Sequence, residues 1–128
     1  MEVELRAVVI DDNVDAATSL SLLLEMLGCR SWVANDIASG HRKVAEVSPS
    51  LVILEMDLAG AAAHDFVQRL RGEPAHRQRL FVGLTRATES SNERHGQSAP
   101  FDHVYVKPIS ITSLSYLLDR ARARPRSA

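Results

Sequence analysis

Short apolar runs alternate along this chain with stretches in which apolar residues recur at helical spacing. Residues 5–10, LRAVVI, form a β-branched run that stops at Asp11-Asp12. Leu20, Leu23, Leu24 and Leu27 then step at i, i+3, i+4, i+7, which predicts one buried face of a helix. Gly28 follows that face and suits a helix C′ position. Residues 30–34, RSWVA, predict a second strand. Asn35-Asp36 predict the cap of a helix running to about Val47, weakened by Gly40. Pro49 resets the chain before the strand LVIL at 51–54. Phe66, Val67 and Leu70 share a helical face within 63–71, and LFVGLT (80–85) and FDHVYV (101–106) read as the fourth and fifth strands. Ser110 suits the cap of a last helix whose Leu114, Leu117, Leu118 and Ala121 again step at i, i+3, i+4, i+7. Residues 86–100 are almost wholly polar and small and predict no firm helix.

The order is strand then helix, five times over. Strands without polar alternation are buried on both faces, the mark of a parallel sheet covered by helices on each side. The fold class expected is α/β: a doubly wound (βα)5 sheet of the flavodoxin-like type. In such sheets function gathers at the C-terminal ends of the strands. Those ends carry Asp11 and Asp12, Glu55, Thr85, and Lys107-Pro108.

Composition narrows the class without changing the picture. The chain has 128 residues, 45% apolar and 24% charged, which suits one globular domain over 1–128 with a core of about 5–122. The last residues, 123–128, read as a basic tail. No apolar run approaches the roughly 20 residues that span a bilayer, and the start lacks a basic n-region and a cleavage site. The lone Cys29 forms no internal disulfide, so a cytoplasmic protein is expected. A net charge of -1 does not point to nucleic acid or a membrane surface.

The rim residues define a chemistry. Three carboxylates on one edge repel each other and call for a cation, either a hard ion such as Mg2+ or the ammonium of Lys107. A cation, a hydroxyl and a lysine together also hold a phosphoryl group. The residues alone therefore point to an acidic pocket that handles Mg2+ or a phosphoryl group. A Mg2+-dependent hydrolase fits less well, since its first strand calls for a D-x-D pair and this chain has adjacent acids.

VVIDDN, LVILEMDLAG, GLT and VYVKP, in this order and spacing, resemble the receiver domain of bacterial response regulators. The resemblance covers about residues 5–122. It implies a (βα)5 receiver fold, phosphoryl transfer from a histidine kinase, and Mg2+ held by the acids of strand 1. Asp11 and Asp12 match the metal-binding pair, and the backbone carbonyl of Asp57 matches a further metal ligand. Thr85 matches the switch hydroxyl, Lys107 the phosphate-contacting lysine, and Pro108 a proline after a cis bond.

The departures from that pattern are as informative as the matches. Glu55 stands at the phosphoacceptor position, where the family has aspartate. Its extra methylene carries the carboxylate about one bond further, and a misplacement of about 1 Å can cost ~100-fold in transfer. The longer carboxylate instead reaches toward Lys107 or Thr85, with a charge of about -1 against the roughly -2 of a phosphate. Val104 occupies the switch-aromatic position and Tyr105 lies one place later, on the opposite side of the strand. Arg86 replaces a small residue and is long enough to pair with Glu55. Ala59 replaces a common proline, and the fourth helix is weak.

The expected function is an atypical receiver, or pseudo-receiver, in two-component signal transduction or a phosphorelay. It would act as a phosphorylation-independent protein-protein interaction module and not as an enzyme. Mg2+ binding would be weakened or lost, and no organic cofactor is implied. The partner would be a histidine kinase or a downstream effector, with a homodimer through the fourth helix, fifth strand and fifth helix by analogy. The alternatives are a phosphoacceptor receiver using Glu55 or Asp57, and an ordinary receiver carrying an engineered Glu55 mimic. Asp57 itself reads as a solvated loop acid. The histidines at 41, 64, 76, 95 and 103 show no ligand spacing and read as surface residues, His64 being nearest the rim. Cys29 reads as inert, Trp32 as packing, and the arginines at 120, 122, 124 and 126 as a solvated helix end and tail.

Overall fold

A computed structural model describes residues 4–58, 61–86 and 100–123. Its elements are β1 (Arg6–Ile10), α1 (Val14–Met26), β2 (Arg30–Ala34), α2 (Ile37–Val47), β3 (Leu51–Glu55) and α3 (Ala62–Arg71). A 3₁₀ turn (Pro74–His76), β4 (Leu80–Thr85), β5 (His103–Val106) and α4 (Ile111–Ala123) follow. The α4 helix is the fifth helix of the expected order. The expected weak helix over 86–100 falls, but for its two end residues, outside the described residues, as do Ala59, His95, Arg124 and Arg126.

All neighbouring strands pair in parallel, in the order β2-β1-β3-β4-β5. Period-two alternation divides the strands between two cores. Ala7, Val9, Leu51, Ile53, Val82 and Leu84 pack with Leu20 and Leu24 of α1 and Leu114, Leu117 and Leu118 of α4. Val8, Ile10, Val52, Leu54 and Phe81 pack with Val44 of α2 and with Phe66, Val67 and Leu70 of α3. Both faces are covered, which is why the strand sequences read as unbroken apolar runs.

Local chemistry sets the helix ends. Asn13 caps α1 by accepting from the Ala16 N–H at 3.0 Å. Asp36 caps α2 by accepting from the Ser39 N–H at 2.7 Å, while Asn35 donates from Nδ2 to the Asp11 carbonyl at 2.9 Å. Ser110 caps α4 through the Ser113 N–H at 3.0 Å. Gly28 ends α1 with φ +89°, a conformation that glycine adopts without strain.

Three details differ from the sequence expectation. β5 begins at His103, two residues late. The Asp102 carboxylate accepts from the Phe81 N–H at 2.8 Å and pairs with Arg71 at 2.5 Å, taking the place of a ladder carbonyl. Gly40 does not interrupt α2, and the close crossing of β1 requires it: a Cβ there would meet Ile10 Cδ1 at 2.6 Å. His76 is not a surface residue; it is buried at the turn before β4. Arg79 Nε donates to His76 Nδ1 at 2.9 Å, and His76 Nε2 faces Glu73 Oε1 at 3.4 Å.

Gly40→Ala is expected to destabilise the fold by about 1 kcal/mol, because overpacking outweighs the gain in helix propensity. Chemical denaturation measures this, and Ile10→Val, which removes the closest atom, should restore part of the loss. Burial first, then the Arg79 guanidinium, lowers the His76 pKa, against the opposing Glu73. The unfolded chain therefore binds the proton more readily. Stability from this residue is complete above the ordinary imidazole pKa of about 6.5 and falls as pH drops below it. Urea titrations between about pH 5 and 7.5 should show a slope that His76→Gln flattens.

Candidate functional site

The parallel register brings the C-terminal ends of β1, β3, β4 and β5 to one edge. Asp11 follows β1 directly and is 4% exposed; Glu55 ends β3 and is 1% exposed; Thr85 ends β4 and is fully buried. Lys107 follows β5, and its backbone N–H donates to the Thr85 carbonyl at 2.8 Å. The bond from Lys107 to Pro108 is cis.

The Lys107 ammonium joins two strands. Its Nζ donates to Asp11 Oδ2 at 2.7 Å and forms an ion pair with Glu55 Oε1, also at 2.7 Å. Oε1 of the buried Glu55 thus meets the ammonium as an ion pair. Burial pulls the Lys107 pKa down, and its contacts with Asp11 and Glu55 more than offset this, so the net shift is upward.

The remaining rim groups are bound within the chain. Glu55 Oε2 accepts from the Asp57 N–H at 3.0 Å. Thr85 Oγ1 donates to Asp57 Oδ2 at 3.2 Å. Asp57 is half-buried, which corrects the expectation of a solvated loop acid: the turn after β3 folds its carboxylate back over β4. Asp11 Oδ1 accepts from the Asn13 N–H at 2.9 Å, tying the rim to the start of α1.

Other sequence candidates stand apart from this network. Asp12 is exposed, and Arg86 is exposed and forms no ion pair with Glu55 among the described residues. Val104 packs in the α2–α3 core, whereas Tyr105 packs on the α1–α4 side, so the two do face opposite ways. Tyr105 stacks on His103 at 6.3 Å, and burial, with Tyr116 beside it, raises its pKa. His64 is half-buried against Phe101, at 5.6 Å. Cys29 is buried and its pKa is pushed up to about 12, chiefly by burial, which leaves it an unreactive thiol. The sequence points to Asn35 only as part of a helix cap, not as a donor to the Asp11 carbonyl, and does not single out Asn13; an Asn just before a helical stretch is the available signal.

A Mg2+ ion at this rim would compete with the Lys107 ammonium. Asp11 and Glu55 already share an ammonium, Asp12 is exposed, and among the described residues no three acidic, histidine or cysteine side chains are placed to hold a metal together. Mg2+ demands near-octahedral oxygen ligands, so it would have to displace Lys107.

No protein-family model matches the chain. It is 28% identical over 123 residues to the sensor histidine kinase AtsR of Burkholderia thailandensis, covering 94% of this chain but only 20% of that protein. The chain thus spans a small part of the curated relative it matches. Among solved structures, a CheY-like response regulator receiver domain from Methylobacillus flagellatus aligns with a TM-score of 0.80. It is 24% identical, over 93% of this chain and 99% of that one. A sensor protein from Polaromonas aligns with a TM-score of 0.79 and 22% identity, over 92% and 95% of the two chains. The fold is that of the CheY-like receiver domains. No helix among the described residues is long and apolar enough to cross a membrane.

Removing the ammonium leaves buried carboxyl groups facing each other. Lys107→Ala is expected to destabilise the fold by about 3 kcal/mol. Adding Glu55→Gln should recover part of that loss, and denaturation of the single and double variants measures the coupling.

Proposed function

We propose that this chain is an atypical receiver domain of two-component signalling that works as a phosphorylation-independent protein-interaction module, not as an enzyme. One observation carries the reading: Lys107 bridges Asp11 and Glu55 at 2.7 Å each. Glu55 takes the position that the resemblance gives to the phosphoacceptor aspartate. Its carboxylate is already spent on Lys107, the residue that would otherwise contact a phosphoryl group. The same bridge occupies the place of a metal ion, so a Mg2+ site at Asp11, Asp12 and the Asp57 carbonyl is weakened or lost.

The context is supported by the fold and by the relative, whose name is that of a sensor histidine kinase. The partner is a signalling protein, a histidine kinase or a downstream effector. Self-association is proposed through the face that includes β5 and α4, where Val106, Ile111 and Tyr116 expose 47%, 57% and 48% of their surface. A second reading is a phosphoacceptor receiver that uses Asp57 or Glu55. It is favoured by the Asp57 carboxylate lying on the rim beside Thr85.

Intact mass after incubation with Mg2+ and a small-molecule phosphodonor tests the proposal. The unaltered chain is expected to gain no phosphoryl group, while Glu55→Asp gains one. A phosphoryl group on the unaltered chain, mapped to Glu55 or Asp57, would overturn the proposal in favour of the second reading. A gain by neither chain would leave a binding scaffold whose pocket is altered beyond position 55.

A further inference from the structure

Thr85 has one hydroxyl proton to give, and the chain gives it to itself. The side chain is fully buried, so its acceptor lies close by within the fold. It is Asp57 Oδ2, at 3.2 Å. Two backbone contacts among the described residues help to hold Asp57 there. Its own N–H donates to Glu55 Oε2 at 3.0 Å, and the Leu58 N–H donates to the Glu55 carbonyl at 3.2 Å, closing the turn that returns the loop over the rim. The Lys107 ammonium meanwhile faces Asp11 and Glu55. The Thr85 hydroxyl and the Lys107 ammonium, two donors suited to an oxyanion, are therefore engaged by carboxyl groups of this chain.

We infer that Asp57 is the resident ligand of Thr85, a positioning residue whose carboxylate takes the place of a bound oxyanion and holds the hydroxyl turned into the rim. This rests on the reading proposed above and extends it from Glu55 to a second residue. A carboxylate accepts a hydroxyl proton as a phosphoryl oxygen does, so the threonine meets the same chemistry without any transferred group. An incoming oxyanion would have to displace Asp57 and approach against its charge.

The test is the Thr85 side-chain rotamer in the isotopically labelled full chain, without ligand, read from three-bond couplings to its methyl carbon. The unaltered chain is expected to show one rotamer. Asp57→Ala should raise the minor rotamers about tenfold, since the loss is that of a hydrogen bond to a charged group. If Asp57→Ala keeps the single rotamer, backbone and packing hold Thr85 and the inference is wrong. Should that variant fail to fold, Asp57→Asn decides: the amide oxygen still accepts, so the rotamer is kept and the Thr85 methyl resonance moves. An unmoved resonance overturns the inference equally. Phosphorylation of the unaltered chain would sink the parent reading whatever the rotamer does, so the two failures are told apart.

Discussion

Asp11 and Glu55 end adjacent parallel strands, and their carboxyl groups lie on an edge almost closed to solvent. Two such groups repel, and the repulsion grows as the dielectric falls. The Lys107 ammonium at 2.7 Å from each is what makes the arrangement tolerable. It comes from β5, and it reaches past the fully buried Thr85 of β4 to touch groups carried by β3 and β1. A four-carbon stem allows this, because its apolar length lies along the strand ends while the charge finds the acids. One side chain thus binds the ends of three strands, and the positions of the neighbouring loops follow from it.

That bridge needs strand ends that are level, and the levelling comes from the two-sided core. The parallel ladder pairs Leu54 with Ile10 and Glu55 with Leu84, so each rim residue inherits its height from apolar neighbours. A slip of one residue would turn every strand side chain toward the other core. Packing on both faces forbids the slip, since neither face has a solvent-facing alternative. Gly40 belongs to the same constraint: α2 lies on Ile10 so closely that no Cβ fits between them. The Asp11 backbone is then fixed from that side, with its N–H on the Ala34 carbonyl at 3.0 Å and its carbonyl held by Asn35.

The fold was legible in the sequence because burial on both faces leaves a plain mark, apolar runs separated by helical periodicity. The strand ends at Glu55 and Thr85 could be read directly, since each closes an unbroken run. Asp57 could not be placed that way. It lies beyond the run in a turn whose course is set by hydrogen bonds to Glu55, and no period records such contacts. His76 was misread for a related reason: a three-residue 3₁₀ turn is too short to show a periodic face, and its burial comes from Arg79 and the strand ends around it. The late start of β5 belongs here too. A carboxylate standing in for a ladder carbonyl looks, in sequence, like an ordinary loop acid.

The two unusual acids of the rim form one arrangement. Glu55 uses Oε1 on Lys107 and Oε2 on the Asp57 N–H, a cross-strand contact and a turn contact from one carboxylate. An aspartate there would hold its oxygens about one bond nearer the backbone, which suits an acceptor facing the pocket but not a clamp reaching both partners. The longer side chain therefore does more than occupy the pocket. It fixes the turn that carries Asp57, and Asp57 in turn accepts from Thr85. Groups linked in this way respond together, so a change at position 55 is felt at position 85 through Asp57. The strand delivers its glutamate to the tip because there it can neutralise a lysine, shape a loop and, through that loop, position a hydroxyl.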